Sequence, residues 1–319
     1  MIRHPANPIL TRAHIQSQHP ELRDVSSVFN PGGCAFRDGF MLLLRVQNRS
    51  RRTFLMKAFS TDGVAFTIDP EPNHISGLEA CPHTIYHIYD PRVTFIDGRY
   101  RIIAALDTDA GCMLGLIESP DFSSFAFRGI ISGPDVRNGV LFPEKITGQY
   151  HRFERPNLHV MPDGVKTGSA ITCSASDNLL DWTPRGTVFA GRPHYWDELI
   201  GSGPPPIKTR AGWLHIYHGV ATHFGSANIY QAGISLHALD DPRKLLSRGS
   251  ANILEPREIY EQVGQVPNVV FPTALWVKDY DTESFALPES EVYLYYGAAD
   301  TCVALATTTI QSLIGEAYA

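Results

Sequence analysis

One pattern returns five times along this chain: a polar residue or Phe, a proline, an apolar run, a turn, then a second apolar run. The units are NPGGCAFRDGFMLLLRV from Asn30, DPRVTFIDGRYRIIAAL from Asp90, RPNLHVMPDGVKTGSAITC from Arg155, PPPIKTRAGWLHIYHGV from Pro204 and FPTALWV from Phe271. The fifth resumes at EVYLYYGAA after a longer acidic loop spanning 278–291. Asp-Gly pairs at Asp38-Gly39, Asp97-Gly98 and Asp163-Gly164 lie between alternating apolar runs, a strong hairpin signal. A weaker strand and another turn follow, as in KAFSTDGVAFTI, LIESPDFSSFAF, SASDNLLDWTP and GISLHALDDPRKLL. Each unit thus holds about four strands, and four-stranded units repeated radially form a propeller. The expected fold is all-β, a five-bladed β-propeller forming one domain over 1–319. A β-sandwich is the competing arrangement, but five matching hairpins over the whole chain are hard to produce by chance. Short helical segments are expected only near Thr11–Gln18 and in the C-terminal TTIQSLIGEAYA.

The charge balance is 27 − 33 = −6 with His neutral, which leaves no electrostatic footprint for nucleic acid. No stretch approaches the ~20 apolar residues of a membrane helix, and the N-terminal MIRHPANPILTRAHI lacks the apolar region of a secretory signal. Five cysteines, Cys34, Cys81, Cys112, Cys173 and Cys302, form no CxxC pair and no even disulfide set. They read as small buried hydrophobes in a reducing compartment, so a cytoplasmic location is expected. A homo-oligomer is compatible with this composition.

In a propeller the first strand of each blade lines the central channel, and residues at its start converge at one mouth. The repeat therefore nominates Asn30, Asp90, Arg155, the Pro204–Lys208 stretch and Phe271. Asp90 is the one carboxylate among these positions; its bland alternative is an Asp capping a turn before Pro91. Arg45, Arg51, Arg137, Arg155 and Lys208 are placed around the same rim, with Tyr230 as a hydroxyl donor. Cations gathered at one mouth repel each other unless an anion sits among them, and Arg forks and Lys are the usual anchors of phosphate. Trp196, Trp213, Tyr217, Phe271, Tyr295 and Tyr296 lie nearby as sugar platforms or, more simply, as blade core. His215 and His218 share a strand at odd spacing, which turns them to opposite faces and disfavours a shared metal. No Gly-rich phosphate loop, HExxH or GxSxG is present.

The motifs YDPRVT (89–94), VLFPEKI (140–146), ERP (154–156), GSGPPPIKT (201–209), IYHGV (216–220), PNVVFPT (267–273) and YYGAADT (295–301) resemble glycoside hydrolase family 130. That family contains the β-mannoside phosphorylases, and the likeness runs from Asn30 to Thr301. It implies a five-bladed propeller and a general acid at the Asp of DPR, here Asp90. It implies phosphate ligands at Arg137, Arg155, Lys208 and Tyr230. It implies sugar contacts at Asn30, Arg45, Arg51 and Asp300. Tyr89 replaces a Glu that many relatives carry before DPR; it and Phe271 are assigned to substrate recognition.

The chemistry agrees. Inverting hydrolysis needs an acid and a base with a water between them. Phosphate is already nucleophilic, so one carboxylate facing a cation cluster is the expected signature of phosphorolysis. Glu144 and Glu154 are the candidates for a hydrolytic base, and partial burial is expected to raise the acid's pKa. The expectation is intracellular, inverting phosphorolysis of β-mannosides to α-mannose 1-phosphate, with inorganic phosphate as a substrate and neither cofactor nor metal. A β-mannosidase of the same family and a non-catalytic carbohydrate-binding propeller are the alternatives.

Overall fold

A computed structural model describes residues 1–157, 168–223 and 227–319. Its strands form five sheets, antiparallel apart from one short outer strand, arranged as the blades of a propeller. The innermost strands are Val25–Phe36, Ile85–Ile96, Val136–Leu141, Leu199–Ser202 continued by Ile207–Thr209, and Val270–Val277. In blade one, Gly39–Asn48, Thr53–Ser60 and Thr67–Ile68 follow outward in chain order. Blade two adds Ile75–Ser76 as an outermost strand, parallel to Phe125–Ile130. The N-terminal Ile2–Arg3 pairs with Cys302–Thr309 and completes blade five, so the two ends of the chain close the ring together.

The alternation of the strands explains why the blades stack. Five apolar clusters fill the five seams between neighbouring blades. At the seam of blades five and one, the Phe40 ring stacks on Trp276 and Tyr295, with centroids 5.3 and 5.1 Å away. At the seam of blades three and four, Phe142 meets Phe153 and Trp213 edge-on. Trp213, Tyr217, Tyr295 and Tyr296 are fully buried, which makes them core rather than sugar platforms.

One sequence expectation is corrected and one is refined. The third inner strand is Val136–Leu141, not the run from Arg155; Arg155 lies on the second strand, Tyr150–Pro156. The RNGVLF stretch has no turn dipeptide like Asp-Gly behind it, so the repeat pattern places the blade one strand late. The Asp163-Gly164 turn lies outside the described residues. Near the N-terminus, the helical segment resolves into two single 3-10 turns, Arg12–His14 and Pro20–Leu22. The C-terminal expectation agrees with an α-helix, Ile310–Tyr318, whose Ile310, Leu313 and Ala317 are buried and whose Thr309 hydroxyl accepts from the Ser312 amide. The acidic loop 278–291 folds back onto blade four, where Arg210 reaches Asp281 and Glu283, each at 2.6 Å.

Candidate active site

The inner strands do not run straight past the channel mouth. In blades one, two and three the pairing register slips after Phe29, Tyr89 and Arg137. At each slip sits an Asn or Asp with positive φ: Asn30 at 44°, Asp90 at 49° and Asn138 at 52°. Asn and Asp tolerate this region better than other side chains. Pro31, Pro91 or Gly139 follows, and a proline suits a bulge because the ladder there needs no N–H. The bulge brings Asn30, Asp90 and Asn138 together on the wall of one cavity of about 430 Å³. Backbone strain of this kind clusters at functional sites. The blades also approach closely here: a Cβ on Gly32 would lie 2.6 Å from the Pro91 carbonyl oxygen.

Asp90 is mostly shielded, with its side chain 14% exposed. Its Oδ1 accepts from Arg45 Nη1 at 2.8 Å and from Asn30 Nδ2 at 3.0 Å. Both donors use Oδ1, which leaves Oδ2 to the cavity. The Arg45 guanidinium is held over the Phe29 and Tyr89 rings, 4.3 and 4.8 Å from their centroids. A second carboxyl, Asp300, enters from blade five. Burial first, then the Asp90 charge, push the Asp300 carboxyl up to about 6, against the pull of Arg45.

That rise has a consequence for stability. Below an ordinary pKa of 3.8 the Asp300 carboxyl is neutral in folded and unfolded chains alike and costs nothing. As pH climbs from there through about 6, the unfolded chain gives up its proton first, and stability falls. Above that window the penalty is complete, at most about 3 kcal/mol at 1.36 kcal/mol per pH unit. Asp300→Asn keeps the shape and tolerates the positive φ of 49° at this position. The variant should melt several degrees above wild type at pH 8 and alongside it at pH 4. Equal melting differences at both pH values would count against a strained carboxyl at Asp300.

The other side of the cavity belongs to blades three and four. Arg137 and Arg155 are direct partners across neighbouring strands. Like charges placed so are repulsive. Burial, with the neighbouring Arg137 charge adding to it, brings the Arg155 guanidinium down to about 10, so it stays charged near neutrality. Arg137 is only 3.9 Å from Asp107 Oδ1, which already accepts from the Tyr89 hydroxyl at 2.8 Å. Arg155 Nη1 lies 3.4 Å from His218 Nε2. Arginine can only donate, so this imidazole nitrogen is the acceptor. Burial and the Arg155 charge hold His218 well below the usual histidine range, hence neutral. Tyr230 lines both this cavity and the adjoining pocket formed by Asp135, Arg137, Arg155 and Asn157. The cation pair with a phenol beside it is a receptacle for an anion.

The model of the family described as beta-1,4-mannooligosaccharide phosphorylase matches residues 1–317. This chain belongs to glycoside hydrolase family 130. A family 130 relative, the beta-1,4-mannooligosaccharide phosphorylase of Ruminococcus albus, is 32% identical over 318 residues, covering 98% of this chain and 89% of that one. The 1,2-beta-oligomannan phosphorylase of Thermoanaerobacter is 31% identical over 260 residues, covering 80% and 78%. The structure of beta-1,2-mannobiose phosphorylase from Listeria innocua, in complex with beta-1,2-mannobiose, superposes with a TM-score of 0.83 at 25% identity over 99% and 98% of the two chains.

Of the residues carried over from the family 130 motifs, Asn30, Arg45, Arg51, Tyr89, Asp90, Arg137, Arg155, Tyr230, Phe271 and Asp300 all line the cavity. Lys208 does not. It pairs with Trp213, five residues along the strand from His218, toward the other end of the blade. Its ammonium donates to Glu144 at 2.8 Å and lies over the Phe285 ring of the 278–291 loop. In this structure it fastens that loop rather than facing the anion receptacle. The proposed hydrolytic bases are also elsewhere: Glu144 is this lysine's partner, and Glu154 is buried with Arg152 and Ser174. The cavity is nevertheless richer in carboxylates than the sequence suggests, since Asp107 joins Asp90 and Asp300. Asn138 and His218 were missed as site residues. The Asn-Gly after Arg137 repeats the Asn-Pro and Asp-Pro of blades one and two, a signal that would have found Asn138. Arg92, fully buried, ties the site together: Nε donates to the Gly203 carbonyl of blade four at 2.7 Å, and Nη1 to the Asp90 carbonyl at 3.0 Å. Among the described residues no group of three or more His, Cys, Asp or Glu converges to hold a metal.

Proposed function

We propose that this chain cleaves β-mannosides by inverting phosphorolysis, releasing α-mannose 1-phosphate and a shortened sugar. The observation that carries the reading is the facing pair Arg137 and Arg155 in the same cavity as Asp90. Two guanidinium groups aimed at one space call for a bound anion, and a neutral sugar does not supply one. Matches to phosphorylases along nearly the whole chain support it. Asn30, Arg45, Asp300 and Phe271 hold the mannosyl unit. Phosphate rests on Arg137, Arg155 and the Tyr230 hydroxyl. A phosphate oxygen forms the new bond to the anomeric carbon as the glycosidic C–O bond breaks on the opposite face. The departing oxygen takes the proton carried by Asp90 Oδ2, directly or through a hydroxyl of the mannosyl unit, and Asp90 is then reprotonated from solvent. Arg45 and Asn30, both on Oδ1, fix which oxygen delivers the proton. Cytoplasmic placement belongs to the same reading, with all five cysteines as free thiols; no helix among the described residues is long and apolar enough to cross a membrane.

Asp107 favours a second reading. It is a carboxylate beside Arg137, where a hydrolase would hold its water-activating base. Its Oδ1 is engaged by Tyr89 and lies near Arg137, which suits positioning Arg137 better than abstracting a proton. One experiment separates the readings: mannoside consumption is followed with and without inorganic phosphate. Turnover that vanishes without phosphate and yields mannose 1-phosphate supports phosphorolysis. Free mannose released equally fast in phosphate-free buffer makes the protein a β-mannosidase.

A further inference from the structure

Phe271 and Asp300 reach the cavity from blade five, and the arm 257–269 adds to the wall through Val266 and Val269. This arm is thinly packed. It opens with a short helix, Ile259–Gln262, and residues 262–267 are all exposed. Few buried contacts mean low local stability. Yet the backbone it holds is strained. Ala299 and Asp300 both have positive φ, 45° and 49°, a region unfavourable for Ala. Such a conformation persists only where its surroundings impose it. Here the arm imposes it from both sides. The Val266 N–H donates to the Ala299 carbonyl at 3.2 Å, and the Ala299 N–H donates to the Val269 carbonyl at 3.1 Å. The arm also takes the Tyr230 N–H, which donates to the Asn268 carbonyl at 2.9 Å.

The arm's anchor is Glu261, which is fully buried. Its carbonyl accepts from the Val269 N–H at 3.0 Å, closing the arm on itself. Its carboxylate accepts from the Tyr296 hydroxyl at 2.8 Å and from the amides of Arg257 and Glu258 at 2.7 and 3.0 Å. The countercharge comes from the opposite end of the chain. Arg3 forks onto Glu261, Nε to Oε1 at 2.8 Å and Nη2 to Oε2 at 2.9 Å. Nη2 also donates to the Glu255 carbonyl at 2.5 Å. A fork of two bonds fixes direction as well as distance. Arg3 is itself held in register by its pairing with Ala306. The strand that closes the ring thus also sets the arm. Burial would push the Glu261 carboxyl up, but its hydrogen bonds, that of Arg3 foremost, hold it below the usual range, so the pair stays charged.

We propose that Arg3 and Glu261 are positioning residues for the active site: by clamping the 257–269 arm they fix the backbone that carries Asp300 into the cavity. The proposal rests on the phosphorolytic reading for its kinetic assay. The test compares wild type, Arg3→Ala and Arg3→Lys well below their melting temperatures. It measures kcat and KM for mannobiose, of whichever linkage wild type consumes, and for phosphate, with amide hydrogen exchange at Val269 and Ala299. Arg3→Ala should still fold, because Glu261 keeps the Tyr296 hydroxyl and two amides as donors. It should raise KM for mannobiose about three- to tenfold, as expected of a residue that biases a site without touching its ligand. KM for phosphate should change less, since Arg137 and Arg155 belong to blade three. The two amides should exchange faster. Arg3→Lys, which keeps the charge but not the fork, should fall between. A lowered melting temperature with KM and exchange at wild-type values overturns the proposal, leaving the pair as a clamp on the terminus alone. If Arg3→Ala does not fold, Arg3→Lys decides by the same two measures. If wild type consumes no mannobiose in a phosphate-dependent way, the phosphorolytic reading fails; exchange and a mannobiose binding isotherm on the same variants then decide the role of the pair separately.

Discussion

Asp90→Asn should lose ~10²–10⁴ of the rate in both phosphorolysis and synthesis, the usual worth of general acid catalysis. The substitution is conservative where the fold is concerned. Asn keeps the size of Asp, tolerates the positive φ of 49°, and still offers Oδ1 to Arg45 and Asn30. What disappears is the ionisable oxygen facing the cavity. A thermal melt should therefore change little while kcat/KM collapses. Of the other carboxylates of the cavity, Asp107 is poorly placed to substitute, since it already accepts from Tyr89 and sits beside Arg137, on the phosphate side. Retention of more than about a tenth of the wild-type rate would remove Asp90 from the mechanism, since that corresponds to under ~1.4 kcal/mol of barrier.

How legible was this in the sequence? The blades were legible because a hairpin is a local event. Asp38-Gly39 and Asp97-Gly98 mark the turn, and alternation on either side marks the faces. The site was legible wherever a bulge leaves a local trace. Asn30-Pro31 and Asp90-Pro91 combine a residue that tolerates positive φ with one that needs no ladder donor. Blade three hid its inner strand because Val136–Leu141 connects to the next strand without an Asp-Gly turn, which misassigned Arg155 by one strand. The error did not remove Arg155 from the cavity, because its cross-strand partner is Arg137. Lys208 shows the opposite failure. Its motif lies in the right blade, but three prolines, Pro204 to Pro206, break the inner strand in two, and Lys208 falls on the far piece. Contacts such as Arg92 to the Gly203 carbonyl, between residues 111 positions apart, leave no local signature.

The cation cluster yields the other large effect. Arg155→Ala should raise the apparent KM for phosphate and lower kcat, by roughly 10–100-fold in kcat/KM for phosphate. The estimate follows from a charged donor hydrogen bond, worth ~1.5–3 kcal/mol. Binding of the mannoside without phosphate should change far less, because a neutral sugar gains little from this guanidinium. Removing Arg155 also relieves its repulsion with Arg137, so the variant should not lose the stability that deleting a paired buried charge would cost. Lys208→Ala is the matched control. It deletes a cation from the same set of motifs, but one whose partner is Glu144. Phosphate dependence should stay at the wild-type value, and any loss should appear as ~0–1 kcal/mol of stability through the loosened 278–291 loop. The measurement is a phosphate titration at fixed mannoside on both variants, with a sugar-binding isotherm for each. If Arg155→Ala keeps the wild-type titration, the anion receptacle is misassigned. If Lys208→Ala shifts it as far as Arg155→Ala does, the lysine must leave Glu144 during turnover, and its place in the fold does not define its role.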